Sequence, residues 1–203
     1  MKPEEVAQSY NQIADRWNGD QFQRSNGITQ HERALTFATS QASGKRLALD
    51  IGCGCSGRFI DLLLSHNYVV EGLDLAEEML KLAKQRHPTL TFHQADICTW
   101  QPQKSYDFIT AWDSIWHIPL AEQISTMHKL IGALKPKGIM IFTTGGVDEP
   151  SDTTNNAMGV PMYHSAPGLS NLLAAIQKAG AHCRHLEYDQ HPELHVYMIV
   201  QKS

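Results

Sequence analysis

The chain has no long apolar run: none approaches the roughly 18–20 residues that a membrane-crossing helix needs, so no membrane partner is expected. It also lacks an excess of positive charge. Lys and Arg number 17 against 21 Asp and Glu, for a net charge of −4, whereas nucleic-acid binders usually carry a basic patch or a domain pI above about 9. No nucleic-acid partner is expected. Cysteine is sparse, with four residues, and Cys53 and Cys55 share one glycine-rich turn. That is neither a disulfide frame nor the C-x-x-C spacing of a zinc pair. The histidines form no H-E-x-x-H or comparable pattern, so no metal is expected. Met1-Lys2-Pro3-Glu4-Glu5 lacks the apolar region of a secretory leader, and a cytoplasmic location is expected. No repeat, low-complexity tract or linker is visible. One domain over residues 1–203 is predicted, large enough for a substantial core, as a monomer or homodimer.

The most informative segment is Leu49-Asp50-Ile51-Gly52-Cys53-Gly54-Cys55-Ser56-Gly57-Arg58. It reads as a buried strand, a tight glycine turn and a helix start. Such a turn lets a ligand approach the backbone, because glycine has no Cβ and tolerates positive φ. Gly52, Gly54 and Gly57 fit the dinucleotide pattern G-x-G-x-x-G, and Asp74 follows at about the offset of a ribose-binding acid. A pyrophosphate on a helix N-terminus, however, wants no anion beside it. Asp50 stands two residues before Gly52, where its carboxylate is expected to face the crevice. That favours a ligand with positive charge there, such as S-adenosylmethionine (SAM), which has an ammonium, a sulfonium and no phosphate.

Strands and helices alternate through the following residues. Tyr68 to Asp74 is a second strand ending in an acid, and Leu90 to Gln94 a third, followed by Ala95-Asp96-Ile97. Tyr106 to Trp112 is a fourth, and Leu134-Lys135-Pro136-Lys137-Gly138 a turn before a fifth at Ile139 to Thr143. Alternation of this kind predicts an α/β parallel sheet with helices on both faces. Upstream, Val6, Tyr10, Ile13 and Trp17 recur at helical spacing over residues 4–17, and His31 to Ala38 reads as a second helix. Residues 1–40 are thus expected to form lid helices over the crevice. Gly145 to Pro167 reads as a long irregular loop, a feature usually functional in a compact domain. Gly168 to Ala179 is the next helix, and His182 to Tyr188 and His195 to Val200 are two closing strands.

The ordered series of acid-x-G-x-G loop, acid after strand two, Asp after strand three and K-P-x-G turn resembles the class I SAM-dependent methyltransferases. Its motifs cover roughly residues 45–145, in the manner of a G-C-G-S-S-G-R subgroup, with a glycine loop one residue longer than the commonest family form. The resemblance implies a seven-stranded, mostly parallel Rossmann-like sheet of order 3-2-1-4-5-7-6 with strand 7 antiparallel. It implies SAM as cofactor, S-adenosylhomocysteine (SAH) as product, and Ala111 and Trp112 beside the methionine moiety.

On this reading Gly52, Cys53 and Gly54 form the cofactor turn, and Asp50 orients the ammonium. Asp74, ahead of Leu75, takes the ribose hydroxyls, since one ionised carboxylate meets two vicinal hydroxyls. Asp96, after Ala95, takes the adenine amine, with Met79 and Ile97 on the ring faces. Tyr10 is read as a lid residue, core packing being the other use of such spacing. On the acceptor side, Asp113, His117 and His164 are candidate proton acceptors, and Trp116 and Tyr163 candidate walls for a small-molecule acceptor. The signature of nucleic-acid amino methyltransferases is missing after strand four. Two other functions fit parts of the pattern: an NAD-dependent oxidoreductase, from the literal glycine spacing, and a SAM-binding protein without catalysis.

Overall fold

The computed structural model describes residues 1–19, 25–38 and 44–203. The expected lid stretch therefore lies outside the described residues at 20–24, 39 and 40. Among the described residues nine strands are formed: β1 Arg46–Ile51, β2 Tyr68–Asp74, β3 Thr91–Gln94, β4 Tyr106–Ala111, β5 Leu134–Gly145, β6 Ser151–Asn155, β7 Met162–Ala166, β8 Ala181–Tyr188 and β9 His195–Lys202. Six α-helices accompany them: α1 Pro3–Asn18, α2 Ile28–Thr36, α3 Arg58–Ser65, α4 Glu77–Arg86, α5 Gln123–Gly132 and α6 Leu169–Lys178.

Seven strands make one sheet in the order β3-β2-β1-β4-β5-β9-β8. The first five are mutually parallel, and β9 runs antiparallel to both β5 and β8. This is the expected order, with β6 and β7 set apart in their own two-stranded sheet. Both faces of the large sheet are covered, which is why its central strands read as apolar runs rather than alternating ones. Leu49 and Ile51 turn towards α5 and α6 (Leu130, Ile131, Leu172, Ile176). Ala48 turns to the other face, towards α2 and α3 (Ala34, Phe59, Ile60, Leu63).

Two expectations need correction. Gly145 to Pro167 is not irregular: β5 runs to Gly145, and β6 and β7 form an antiparallel hairpin pairing Thr153 with His164 and Thr154 with Tyr163. The β-branched threonines suit a pleated surface, but their polar run hid the strand. The turn before strand five also lies within β5. Lys137 takes φ 64° there, and the register with β4 slips between Tyr106 and Phe108, as at a bulge.

Helix α1 has two apolar edges. Val6 and Ile13 pack on Val160, Met162 and Tyr163 of the hairpin, while Ala7 and Ala14 pack on Cys55, Ala76 and Met79. Burying an aliphatic side chain contributes roughly 1.5–3 kcal/mol, so Val6 and Ile13 hold α1 against the hairpin. Helix α2 is pinned by His31, which is fully buried and stacks on Phe59 at 3.8 Å. Its Nδ1–H donates to the Gly27 carbonyl at 2.7 Å, and its Nε2 accepts from Thr110 Oγ1 at 2.7 Å. Burial holds its pKa down at about 3, so the ring is neutral. Among the described residues, no helix is long and apolar enough to cross a membrane.

Candidate active site

The carboxyl ends of β1, β2 and β4 open onto a cleft roofed by α1. Its position follows from topology, because open α/β sheets bind ligands outside the carboxyl ends of their strands.

The glycine turn is set by two constraints. Gly52 sits at φ +64°, and a Cβ there would overlap the Cβ of Ser114. Gly54 sits at φ +55° with nothing within 4 Å of its would-be Cβ, so the turn offers bare backbone to the cleft. Gly52 and Cys53 donate their N–H groups to the Leu73 carbonyl at 2.7 and 3.1 Å, locking the turn to the end of β2. Asp74 completes the lock: its Oδ2 accepts from the Gly54 N–H at 2.8 Å and its Oδ1 from the Ala76 N–H at 2.9 Å. Burial pushes its pKa up against the pull of these donors. Each carboxylate oxygen keeps a lone pair for a ligand hydroxyl.

The cleft brings together Tyr10, Gly52, Cys53, Gly54, Asp74, Leu75, Met79, Ala95, Asp96, Ile97, Trp112, Asp113 and His117. Asp96 forms a tight turn by accepting the Cys98 N–H at 2.8 Å.

Asp50 and Ala111 are not on the cleft wall. Ala111 turns into the core beside Ile109 and Phe142. Asp50 has the parity of Ala48 along β1, so it points to the α2 and α3 side, and it is 3 % exposed. A cationic group does line the cleft, Arg58, the residue after the glycine turn. Its Nε–H donates to the Asn26 carbonyl at 3.0 Å, and its guanidinium lies over the Phe59 ring. Burial lowers the Arg58 pKa, while the charges of Asp113 and Asp50 act against that. Burial drives the Asp50 pKa up to about 7, with Arg58 opposing. In the folded chain Asp50 therefore binds its proton more tightly than in the unfolded one. Its contribution to stability falls as pH rises from about 4 to about 7. Asp50→Asn is expected to raise the melting temperature at pH 8 and to leave it nearly unchanged at pH 3.5. Thermal melts across that range check this, and a lowered melting temperature at pH 8 would refute it.

His117 is wired from both sides. Its Nδ1–H donates to the Tyr163 carbonyl at 2.7 Å, and its Nε2 accepts from Trp116 Nε1–H at 3.0 Å and from the Tyr10 hydroxyl at 2.8 Å. Burial takes its pKa down to about 4 despite the bond to Tyr163. A neutral ring with its one lone pair occupied is ill suited to the expected role of base. Burial, with the charges of Asp74 and Asp113, raises the Tyr10 pKa, so the phenol keeps its proton.

His164 and Trp116 face a second cavity, with about 730 Å³ of empty space, between the β6–β7 hairpin and the segment joining β8 to β9. Its wall towards the cleft is shared, since the His117 and His164 rings lie 4.8 Å apart. The expected closure of Tyr163 over an acceptor is not supported. Tyr163 is buried, and its hydroxyl donates to Asp152 at 2.9 Å and accepts the Leu120 N–H at 3.3 Å. It lines neither cavity.

Sequence reasoning missed Arg58, Ser114 and His195. Arg58 was signalled by its place after Gly57. His195 carried no local signal, for its partners come from distant segments.

A family model described as a methyltransferase domain matches residues 48–138. A trans-aconitate 2-methyltransferase of Rhodopseudomonas palustris is 27% identical over 171 residues, covering 82% of this chain and 66% of that protein. Its counterpart in Methylobacterium radiotolerans is 31% identical over 126 residues, covering 61% of this chain and 47% of that protein. The chain thus spans less than two thirds of the length of these curated relatives. Among solved structures, a SAM-dependent methyltransferase from Clostridium acetobutylicum superposes with a TM-score of 0.69 at 14% identity, covering 98% of both chains. The SAM-bound amino pentose methyltransferase CalS10 of Micromonospora echinaspora gives 0.68 at 17% identity, covering 95% of this chain and 96% of its own. With a methyltransferase-domain match over the glycine turn, and this sheet order behind it, the chain has the Rossmann-like fold of the SAM-dependent methyltransferases and is similar to them over residues 48–138.

Proposed function

We propose that the chain transfers a methyl group from SAM to a small-molecule acceptor. The observation that carries this reading is the Asp74 carboxylate, fixed by two backbone N–H groups beside a turn of bare backbone. The cleft also fits the group chemically: Ser114, on its wall, has a buried Oγ without a hydrogen-bond partner, and a bound polar ligand would satisfy it. When bound, SAM supplies a methyl group activated by its sulfonium, which leaves as a neutral thioether once the acceptor's electron pair forms the new bond.

The residues then divide the work. Asp74 takes the ribose hydroxyls. Asp96 takes the adenine amine, with Met79 and Ile97 packing on the ring. Arg58 and Asp113, both on the cleft wall and coupled in charge, suit the carboxylate and ammonium of the amino-acid end. Asp113 thereby takes over the role expected of Asp50. Tyr10 commits its hydrogen to His117 and keeps oxygen lone pairs for the positively charged region. Helix α1, as a lid, excludes water. In-line placement of acceptor and methyl is worth up to about 7–11 kcal/mol of the barrier. The acceptor binds beside Asp113 and His117, and the cavity behind Trp116 and His164 is its approach. We place the protein in the cytoplasm, as a monomer or homodimer without a nucleic-acid partner.

Calorimetric titration with SAH and with NADH tests the reading. Micromolar SAH binding and no response to NADH are expected. Binding of NADH alone would replace it with the oxidoreductase reading.

A further inference from the structure

His195 begins β9 and is 6 % exposed. Its two ring nitrogens meet two different carboxylates: Nδ1 lies 2.5 Å from Asp189 Oδ1 and Nε2 lies 3.1 Å from Asp113 Oδ1. Asp189 is itself held, its Oδ2 accepting from Gln30 Nε2 of α2 at 2.9 Å. Asp113 is held as well. Its backbone takes φ 51°, a conformation that costs a non-glycine residue free energy, and its N–H donates to Thr143 Oγ1 at 2.7 Å. A line of contacts thus runs from α2 through the segment after β8, through β9, to the cleft.

A neutral imidazole has one N–H and one lone pair. Placed between two carboxylates, it would aim that lone pair at an oxygen anion in a buried setting. Only the doubly protonated ring donates to both. We propose that His195 is a positioning residue, an imidazolium clamped between Asp113 and Asp189 that fixes the Asp113 carboxylate where it receives the ammonium of the cofactor's amino-acid end.

The surroundings agree. Burial alone would lower the His195 pKa, but the hydrogen bonds and charges of Asp113 and Asp189 outweigh it and the net direction is up. The other titratable groups on the cavity that His195 lines are Asp152 and His164 of the hairpin and Glu193 before β9. Trp112 and Trp116 pack on the ring at 5.8 and 5.4 Å. A second positive charge close to Asp113 is Arg58. The clamp's stabilising effect is fully present below about pH 6.5 and is lost as pH rises through the raised value.

The role in cofactor binding rests on the methyltransferase reading, whereas the protonation state does not, so two measurements separate the failures. Nitrogen-15 NMR of the full chain reads the His195 ring directly. Two protonated nitrogens at pH 7 are expected, with deprotonation above the ordinary histidine range. In Asp189→Asn the titration moves to lower pH. Calorimetry with SAH from pH 5.5 to 9 then reads the consequence. Affinity falls as His195 loses its proton, and the Asp189→Asn curve shifts down by the same interval, so that a one-unit shift weakens binding about tenfold in the pH range above it. In His195→Gln the part of the pH dependence that follows the His195 titration disappears. A single protonated nitrogen in the wild-type ring at pH 7 overturns the clamp, and that measurement needs no variant to fold. A titrating His195 with pH-independent SAH affinity overturns its positioning role. Absence of SAH binding even at pH 6 would count against the cofactor reading alone.

Discussion

Asp74→Ala is expected to weaken SAH binding by at least about 100-fold while the chain still folds. Hydrogen bonds to a charged group are worth roughly 1.5–3 kcal/mol each, and the ribose would make two of them with this carboxylate. The sum is about 3–6 kcal/mol, and each 1.4 kcal/mol is roughly a tenfold change. The substitution also removes the acceptor of the Gly54 and Ala76 N–H groups, so the turn loosens where the ligand should lie. Asp74→Asn has nearly the same volume, but it brings an NH₂ group against one of those backbone donors. It should therefore fall between wild type and alanine in stability and close to alanine in affinity. Calorimetry paired with thermal melts checks both. Undiminished SAH affinity in Asp74→Ala would remove the ribose role and the main support for the proposed function.

Gly52→Ala is expected to be strongly destabilising for so small a substitution. A left-handed backbone costs a non-glycine residue about 1–2 kcal/mol, and overpacking a rigid site typically costs about 1–3 kcal/mol more. Together these are about 2–5 kcal/mol. For a chain of this length that is a drop in melting temperature on the order of 10 °C. The overlap has one partner, the Ser114 side chain, so the cost is separable. In Gly52→Ala with Ser114→Gly the overlap is relieved and the backbone cost remains. A double-mutant cycle should therefore show a coupling of at least about 1 kcal/mol in the rescuing direction. Additive effects of the two substitutions would mean that the tight approach of strand one's turn to the segment after strand four does not limit what residue 52 can be.

The difference between what was legible in the sequence and what was not is physical. The glycine turn, the acids after strands two and three and the alternation of strands and helices are local patterns, and local patterns survive in one dimension. The sheet order followed from those patterns and the family resemblance. Asp50 was read from its position along a strand without the face: it has the parity of Ala48, and one residue of parity turns a side chain to the other side of the sheet. Ala111 was placed by the family resemblance alone, and its side chain sits in the core with Ile109 and Phe142. The hairpin was missed because Ser151 to Asn155 is fully solvent-facing and so carries no apolar alternation. Tyr163 was given to the acceptor because aromatics suggest pockets, yet its hydroxyl is used to brace Asp152 and Leu120. His195 and Asp189 were invisible as a pair with Asp113, because a contact across 82 residues of sequence leaves no local trace.

The docking of α1 on the hairpin bears on the order in which the molecule assembles. Val6 and Ile13 find their partners at Val160, Met162 and Tyr163, and α2 finds one of its own at Asp189. Both helices thus have one set of partners nearby in sequence, at Cys55, Ala76 and Met79 for α1 and at Phe59 for α2, and another more than 140 residues further along the chain. The edge of α1 formed by Val6 and Ile13 is the one that depends on the distant hairpin, and contacts so distant in sequence are slow to close. The roof of the cleft is thus held by contacts of both kinds, and its outer edge closes against the more distant one.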